Sequence, residues 1–220
     1  MLYLILFFLE LILLYFLSKR LTNKIFQFLY RVIKNRKFAF YVYSVLFLPG
    51  TFVHEISHFL AAILLLVPVG KLELLPEIYE NEDGAALGSV EIAKTDPLRR
   101  FLIGIAPFVL GTTIIIGIIY FFTSNGLLTN YYYLLLIAYI CFQIGNSMFA
   151  SRKDLEGALE LFVFFIFLYI VIFALGISFP AFKINLNISG EFLYLFKIAD
   201  FYLLVPVAID SLILFLLGVI

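Results

Sequence analysis

The chain has 220 residues, of which 64% are hydrophobic and only 14% are charged, and its mean hydropathy is +1.11. A soluble domain of this length is about half apolar and about a quarter charged, so a core in water cannot bury the excess and a lipid bilayer must act as the solvent. The formal net charge is zero, which excludes a general electrostatic attraction to nucleic acid.

Six apolar segments have lengths comparable to the roughly 20 residues that a spanning helix needs. We predict spans at 2–17, 38–67, 98–122, 130–149, 157–178 and 201–219. The fourth and fifth can also be two parts of one interrupted helix. The first segment lacks a basic leader and a small-residue cleavage site, so we expect an uncleaved span rather than a removable signal peptide. The sequence therefore predicts an all-α, multi-pass protein of the cell membrane that contacts the lipid bilayer.

The residues between the first two spans carry only positive charge. Segment 18–37 has no acidic residue and seven basic ones, which are Lys19, Arg20, Lys24, Arg31, Lys34, Arg36 and Lys37. The apolar residues between these charges predict an amphipathic surface helix; they are Leu21, Ile25, Phe28, Leu29 and Val32. The positive-inside rule places this segment in the cytoplasm, along anionic headgroups.

Segment 70–97 is the only sizeable polar stretch of the chain. Apolar and polar residues alternate at 71–74 and at 88–92, and Asp83 and Gly84 lie between these runs at a position typical of a turn. The pattern predicts a small β-hairpin at the membrane surface. The alternative is an ordinary loop between two helices.

Both histidines of the chain lie in the five-residue run His-Glu-Ile-Ser-His at 54–58. On a helix, residues four apart lie on one face, so His54 and His58 can bind the same Zn²⁺. Glu55 then lies beside the metal, where it can take a proton from the water that zinc activates. The run lies inside a predicted span, where each ionisable group costs at least ~2.5 kcal/mol and is usually functional.

A catalytic zinc needs a third protein ligand and one open position. No histidine remains, so the candidates are the carboxylates in or near apolar segments, Glu10, Asp154, Glu156, Glu160 and Asp210. We favour Asp154, because it follows an apolar helix and a polar interruption that begins at Asn146, and a broken helix in a membrane is tolerated where it lines a cavity. Alternatively, Asp154 is a loop residue paired with Arg152 or Lys153.

The other candidate carboxylates have different expected roles. Glu156 and Glu160 are the second choices for the third ligand. Glu10 and Asp210 fall inside apolar runs. They are expected to face a polar cavity, to pair with a basic residue or to lie near an interface, rather than to take part in catalysis.

Over about residues 48–160, the chain resembles the site-2 protease family of intramembrane metalloproteases. The run Pro-Gly-Thr-Phe-Val-His-Glu at 49–55 is similar to the family's entry into its zinc helix. The run Gly-Ile-Ala-Pro at 104–107 resembles the Gly-Pro element of the family's next helix. The stretch from Asn146 through Asp154 to Gly157 resembles the family's Asn…Pro…Asp-Gly segment, whose aspartate completes the zinc site.

The chain also departs from this family pattern. Glycine follows Asp154 by three residues instead of one, and Ala150 and Ser151 stand near the place of the expected proline. No PDZ or CBS domain is recognised. The resemblance therefore indicates a divergent, minimal member, with one domain over 1–220 that comprises a first span and basic segment (1–37), a catalytic core (38–178) and a C-terminal span (179–220).

The resemblance implies a zinc metalloendopeptidase that acts in regulated intramembrane proteolysis. One Zn²⁺ per chain would be held by His54, His58 and Asp154, and Glu55 would be the catalytic base. The substrate would be a transmembrane segment of another protein, which must unwind before attack and can then pair with a strand of 70–95 by β-augmentation.

Asn146 has two possible roles in this scheme. It can bind the substrate, by a hydrogen bond to the backbone or to the developing oxyanion, or it can break or pack its own helix. The family likeness also implies that the hairpin and the active site open to the cytosol, which is opposite to the orientation predicted from segment 18–37. Both questions stay open from sequence.

The alternative function is a non-proteolytic membrane metal-binding protein, such as a metal transporter or regulator. A transporter needs further ligands along its path. The chain has no histidine outside 54–58 and only scattered carboxylates, so the sequence favours the protease.

Overall fold

The computed structural model describes residues 2–74, 77–78, 85–149, 154, 156–174 and 190–218. These residues form six α-helices, α1 (Leu2–Ile33), α2 (Arg36–Leu64), α3 (Pro97–Ser124), α4 (Tyr131–Ser147), α5 (Glu156–Ala174) and α6 (Gly190–Gly218). A short 3-10 helix, Leu127–Thr129, precedes α4. The predicted helical fold is therefore confirmed for the described part of the chain.

Four of the helices are long and apolar enough to cross a membrane. They are α1, α2, α3 and the Phe196–Gly218 part of α6. The helix α4 has 17 residues, which is short against the roughly 20 residues of a straight span. The chain is thus expected to be a membrane protein with at least these four spans, and the count of six stays a prediction.

The first helix is longer than the predicted span at 2–17. It continues without interruption through most of the basic segment to Ile33, a length of 32 residues or about 48 Å. The expected break is missing because no glycine or proline occurs in this range. Leu21 and Ile25 are buried in a cluster with Phe47 and Phe142, so this part of the predicted amphipathic face packs against protein rather than lying on headgroups.

The second helix carries the histidine motif and leads into the strands. Asn35 caps its start by accepting a hydrogen bond from the Phe38 N–H at 3.1 Å. After α2, strand β1 (Val69–Glu73) pairs antiparallel with β4 (Ser89–Ile92), and β2 (Glu77–Ile78) pairs antiparallel with β3 (Ala85–Ala86). The predicted hairpin is therefore present as two short antiparallel pairs, and the turn predicted at 83–84 lies outside the described residues.

The helices pack around a core in which α1 lies along α6. Phe7 contacts Phe196 with ring centroids 5.1 Å apart, and Leu21 clusters with Ile213 further along, so the two helices run in the same direction. Leu14 and Leu203 are fully buried at this contact. Helix α2 packs against both α3 and α4, and this arrangement positions the histidines.

Candidate metal centre

Three potential metal ligands converge where α2 meets the turn before α5. His54 and His58 lie on one face of α2, as their four-residue spacing predicts, and Asp154 lies opposite them. The two Nε2 atoms are 3.2 Å apart. The carboxylate oxygens of Asp154 lie 3.7 Å from His54 Nε2 and 3.3 Å from His58 Nε2. Within the described residues, these three form the only such group of potential ligands, with all their ligand atoms within 4.8 Å of one another.

The backbone fixes the orientation of both imidazole rings. His54 Nδ1 lies 2.6 Å from the carbonyl oxygen of Ser147 on α4. His58 Nδ1 lies 2.8 Å from the carbonyl oxygen of Ile103 on α3. A carbonyl oxygen only accepts, so each Nδ1 carries the hydrogen, and each neutral ring presents an Nε2 lone pair to the centre. Metal-binding histidines are commonly oriented in this way by the partner of the second ring nitrogen.

The spacing of these atoms fits a tetrahedral metal ion. Two ligands at about 2.0–2.1 Å from zinc, with a tetrahedral angle between them, lie roughly 3.3 Å apart. The observed separations between Nε2 atoms and from His58 Nε2 to Asp154 are 3.2 and 3.3 Å. When both rings are neutral with hydrogen on Nδ1, their Nε2 lone pairs face each other without a hydrogen bond, and a cation between them would remove this unfavourable contact. The residues therefore fit a metal with three protein ligands.

Glu55 lies beside this group without being one of its ligands. Its residue exposure is 9%, and its carboxyl group interacts electrostatically with His54, His58 and Asp154. The residue just before β4 also approaches it: a Cβ on Gly88 would lie 3.0 Å from Cγ of Glu55. The predicted base thus lies close both to the metal ligands and to the residue that precedes β4.

Asp154 reaches the centre because α3 has a glycine at the point of contact. A Cβ on Gly104 would collide with the backbone carbonyl oxygen of Asp154 and would lie 3.0 Å from its carbonyl carbon. The second-choice ligand Glu160 is bound instead to Arg100, with 2.6 Å between Nη1 and Oε1. The side chain of Glu156 lies outside the described residues. Of the described candidates, only Asp154 joins the two histidines.

Comparison with protein-family models, with curated proteins and with solved structures finds no match for this chain. The function must therefore be inferred from the chemistry of the site. That chemistry comprises a group of three ligands able to hold a metal, a buried carboxylate beside it, and a helix long and apolar enough to cross a membrane.

The structure places Asn146 with its amide directed toward α6. Its Nδ2 donates to the carbonyl oxygen of Phe142 at 2.9 Å and to Oδ1 of Asp210 at 2.8 Å. Asp210 is completely buried. Glu10 on α1 and Asp200 on α6 also have buried oxygens and interact electrostatically with each other. We call these two pairs, Asn146 with Asp210 and Glu10 with Asp200, the acidic seam. The role of Asn146 in substrate binding stays a prediction.

The sequence did not reveal the residues that orient the histidines. The orienting groups are the backbone carbonyl oxygens of Ser147 and Ile103, and a pattern of side chains does not show where these oxygens point. One signal was available: Gln143 is a lone amide in an apolar helix, and it is 1% exposed in the structure. Such a residue in a membrane helix needs a polar partner, and Gln143 finds it in α2.

Proposed function

We propose that this chain is an intramembrane zinc metalloendopeptidase that hydrolyses peptide bonds in transmembrane segments of other membrane proteins. The observation that carries the proposal is the convergence of His54, His58 and Asp154 beside buried Glu55. The helix that carries three of these residues is long and apolar enough to span a membrane. Ionisable groups in such a helix mark functional sites.

Zinc is the metal that the ligand set favours. Two imidazoles and one carboxylate, with a position left open, make up a common catalytic zinc site. Metals such as Ca²⁺ and Mg²⁺ prefer sites built from oxygen ligands. The short distance between the two Nε2 atoms, 3.2 Å, matches a small tetrahedral ion.

Different residues of the chain would have different roles in peptide hydrolysis. When bound, zinc would supply a Lewis acid for the scissile carbonyl and would lower the pKa of water. Glu55 accepts the proton of the attacking water and returns it to the leaving nitrogen as the carbon–nitrogen bond breaks. The carbonyl oxygens of Ser147 and Ile103 keep both imidazoles in the tautomer that binds metal.

The position of the strands supports an extended peptide as the substrate. A transmembrane helix hides its carbonyl groups in hydrogen bonds, so a segment must unwind before its backbone can be attacked. Gly88, which immediately precedes β4, lies against Glu55 and Thr51, so the strand begins next to the proposed base. An unwound segment can be held there by backbone pairing with a strand edge.

The likeness to the site-2 protease family remains part of this proposal. The Gly-Pro element at 104–107 has a role consistent with it, since Gly104 makes room for the backbone of Asp154. The missing proline and the displaced glycine after Asp154 would make the chain a divergent branch of that family.

The test is the Glu55→Gln variant of the full chain, reconstituted in liposomes with a single-span reporter protein whose membrane segment contains helix-breaking residues. We expect it to retain about one zinc per chain but to cleave about 10²–10⁴-fold more slowly, because an amide cannot accept the proton. Zinc content is measured by elemental analysis and cleavage by gel. The matched control is Glu160→Gln, which makes the same chemical change at an exposed residue outside the centre.

Two results would contradict the proposal. Cleavage by Glu55→Gln at the wild-type rate would remove Glu55 as the base. Zinc flux through wild-type liposomes, with no cleavage of any reporter, would favour the alternative of a metal transporter.

A further inference from the structure

The helix that carries the two histidines of the metal centre contains a proline, Pro49, five residues before the first of them. Pro49 has no backbone N–H, so it cannot bond to the carbonyl oxygen of Val45, and its ring crowds that turn. Even so, α2 continues from Arg36 to Leu64. The turn around Pro49 therefore needs support from outside α2 if His54 is to have a fixed position.

That support comes from the side chain of Gln143 on α4. Its Nε2 donates to the carbonyl oxygen of Leu46 at 2.7 Å, and its Oε1 accepts from the Gly50 N–H at a longer distance of 3.4 Å. Leu46 and Gly50 are four residues apart, so these are the two groups that bond each other in a regular α-helix. The buried amide of Gln143 thus forms hydrogen bonds on both sides of Pro49, in the turn that Pro49 weakens.

The contacts of α2 with α4 also have the same four-residue spacing on both helices toward the metal centre. On α2, Gly50 and His54 are four residues apart; on α4, Gln143 and Ser147 have the same spacing. A Cβ on Gly50 would lie 2.5 Å from the carbonyl oxygen of Gln143 and 2.8 Å from Oγ of Ser147, so the helices touch at this point. One turn further on, the Ser147 carbonyl accepts the His54 Nδ1 hydrogen at 2.6 Å.

We propose that Gln143 is a positioning residue for the metal centre. By holding the Pro49 turn against α4, it fixes the height and tilt of α2 at which the His54 ring meets the Ser147 carbonyl. The Nε2 atom of His54 then points at the metal position that His54 shares with His58. The inference rests on the proposed zinc site but not on proteolysis, because its consequence is measured in metal binding alone.

A purely structural role for Gln143 makes a different prediction. If its amide only stabilised the packing of α2 on α4, the loss of metal affinity would follow from the loss of stability. Any other substitution in α4 that destabilised the bundle equally would then weaken the metal equally. If Gln143 positions His54, its substitution should lower metal affinity by more than the loss of stability explains, because His54 then lies in a different place.

The experiment measures Zn²⁺ affinity by chelator competition, and the visible spectrum of Co²⁺ in its place, on the full chain in detergent. Gln143→Met keeps the volume but cannot bond to Leu46 or Gly50. We expect it to bind Zn²⁺ about tenfold or more weakly, as for other residues that orient metal ligands, and to alter the Co²⁺ spectrum, which follows coordination geometry. The control is Ile137→Ala, which leaves a cavity in the same helix at a buried residue.

A double variant keeps the test informative if Gln143→Met folds poorly. Pro49→Ala restores a backbone N–H at position 49, so Pro49→Ala/Gln143→Met should regain thermal stability. It should not regain Zn²⁺ affinity, since a regular turn places His54 differently. Ile137→Ala should lose stability and keep the wild-type affinity and Co²⁺ spectrum.

Three outcomes would overturn the inference. The first is wild-type affinity and spectrum in Gln143→Met. The second is an equal loss of affinity in Ile137→Ala at equal loss of stability. The third is recovery of affinity together with stability in the double variant. If the wild-type chain itself binds no Zn²⁺, it is the proposed metal centre that fails, which is a distinct result.

Discussion

Two polar regions lie inside this apolar bundle, and they are built in opposite ways. At the metal centre, the Nδ1 atoms of His54 and His58 are bound to backbone carbonyl oxygens at 2.6 and 2.8 Å. Along the acidic seam, buried side-chain oxygens have no hydrogen-bond partner among the described residues. They are Glu10 Oε2, Asn146 Oδ1, Asp200 Oδ1, Asp200 Oδ2 and Asp210 Oδ2.

A buried polar group has a fixed orientation only where a rigid partner binds it. A backbone carbonyl belongs to a rigid helix, so it holds an imidazole ring at one angle and leaves one lone pair for a metal. An oxygen without a donor has no such angle, and its burial is costly until water or another donor reaches it. The metal centre is therefore organised for coordination, whereas the seam is organised only at the contact between Asn146 and Asp210.

The largest effect is expected at Asp154. Replacing it with alanine leaves two imidazoles and no carboxylate, so we expect Zn²⁺ affinity to fall by more than about 100-fold, beyond the range for residues that only orient ligands. Chelator competition measures the change. Asp210→Ala, the same substitution in the seam, should leave the affinity unchanged. Tight Zn²⁺ binding by Asp154→Ala would move the third ligand to Glu156 or Glu160.

A subtler change tests how the centre depends on the surface of α3. Gly104→Ala adds a methyl group that collides with the Asp154 backbone, at a cost of about 1–3 kcal/mol if the turn shifts to relieve it. We expect a loss of about tenfold in Zn²⁺ affinity, typical of disturbing a ligand's support.

The same helix offers a matched control for that change. A Cβ on Gly117 meets nothing within 4 Å. Gly117→Ala should therefore retain wild-type affinity, and it should raise stability slightly, because alanine favours helix over glycine by about 0.5–1 kcal/mol. Equal behaviour of the two variants would mean that the approach of Asp154 to α3 does not support the centre.

The smallest effect is expected in the seam itself. Asp210→Asn keeps an oxygen that can accept from Asn146 and removes a potential charge from an apolar core, so stability should change by less than about 1 kcal/mol. Asp210→Ala removes the acceptor and should cost about 1–3 kcal/mol. Denaturation in detergent, followed by circular dichroism, compares them. A large loss in Asp210→Asn would show that the seam needs the carboxylate itself.

The sequence was sufficient for the groups whose function lies in their side chains. Four-residue spacing put His54 and His58 on one face of α2, and the polar interruption that begins at Asn146 favoured Asp154, which the structure brings to them. The alternation at 71–74 and 88–92 predicted the strands that form. These features depend on residue type and local period, which a sequence displays directly.

The sequence was insufficient where backbone or distant contacts decide. Pro107 has no N–H, so it leaves the carbonyl oxygen of Ile103 without its usual partner inside α3. Whether the carbonyl oxygens of Ile103 and Ser147 meet the histidines depends on how α3 and α4 pack against α2, which the local sequence does not show. The basic residues after position 18 were interpreted as leaving the membrane. Tertiary packing of Leu21 and Ile25 against Phe47 and Phe142 instead continues α1 to Ile33.

Each imidazole of the centre is held from a different helix: His54 from α4 by Ser147, and His58 from α3 by Ile103. Metal binding at the proposed centre would therefore be thermodynamically linked to the assembly of three helices. An ion that binds only when α2, α3 and α4 are together stabilises that assembly by RT ln(1 + [L]/Kd), about 2.7 kcal/mol at a free concentration of one hundred times Kd. Removal of such an ion by a chelator would lower the stability of the whole bundle by the same amount.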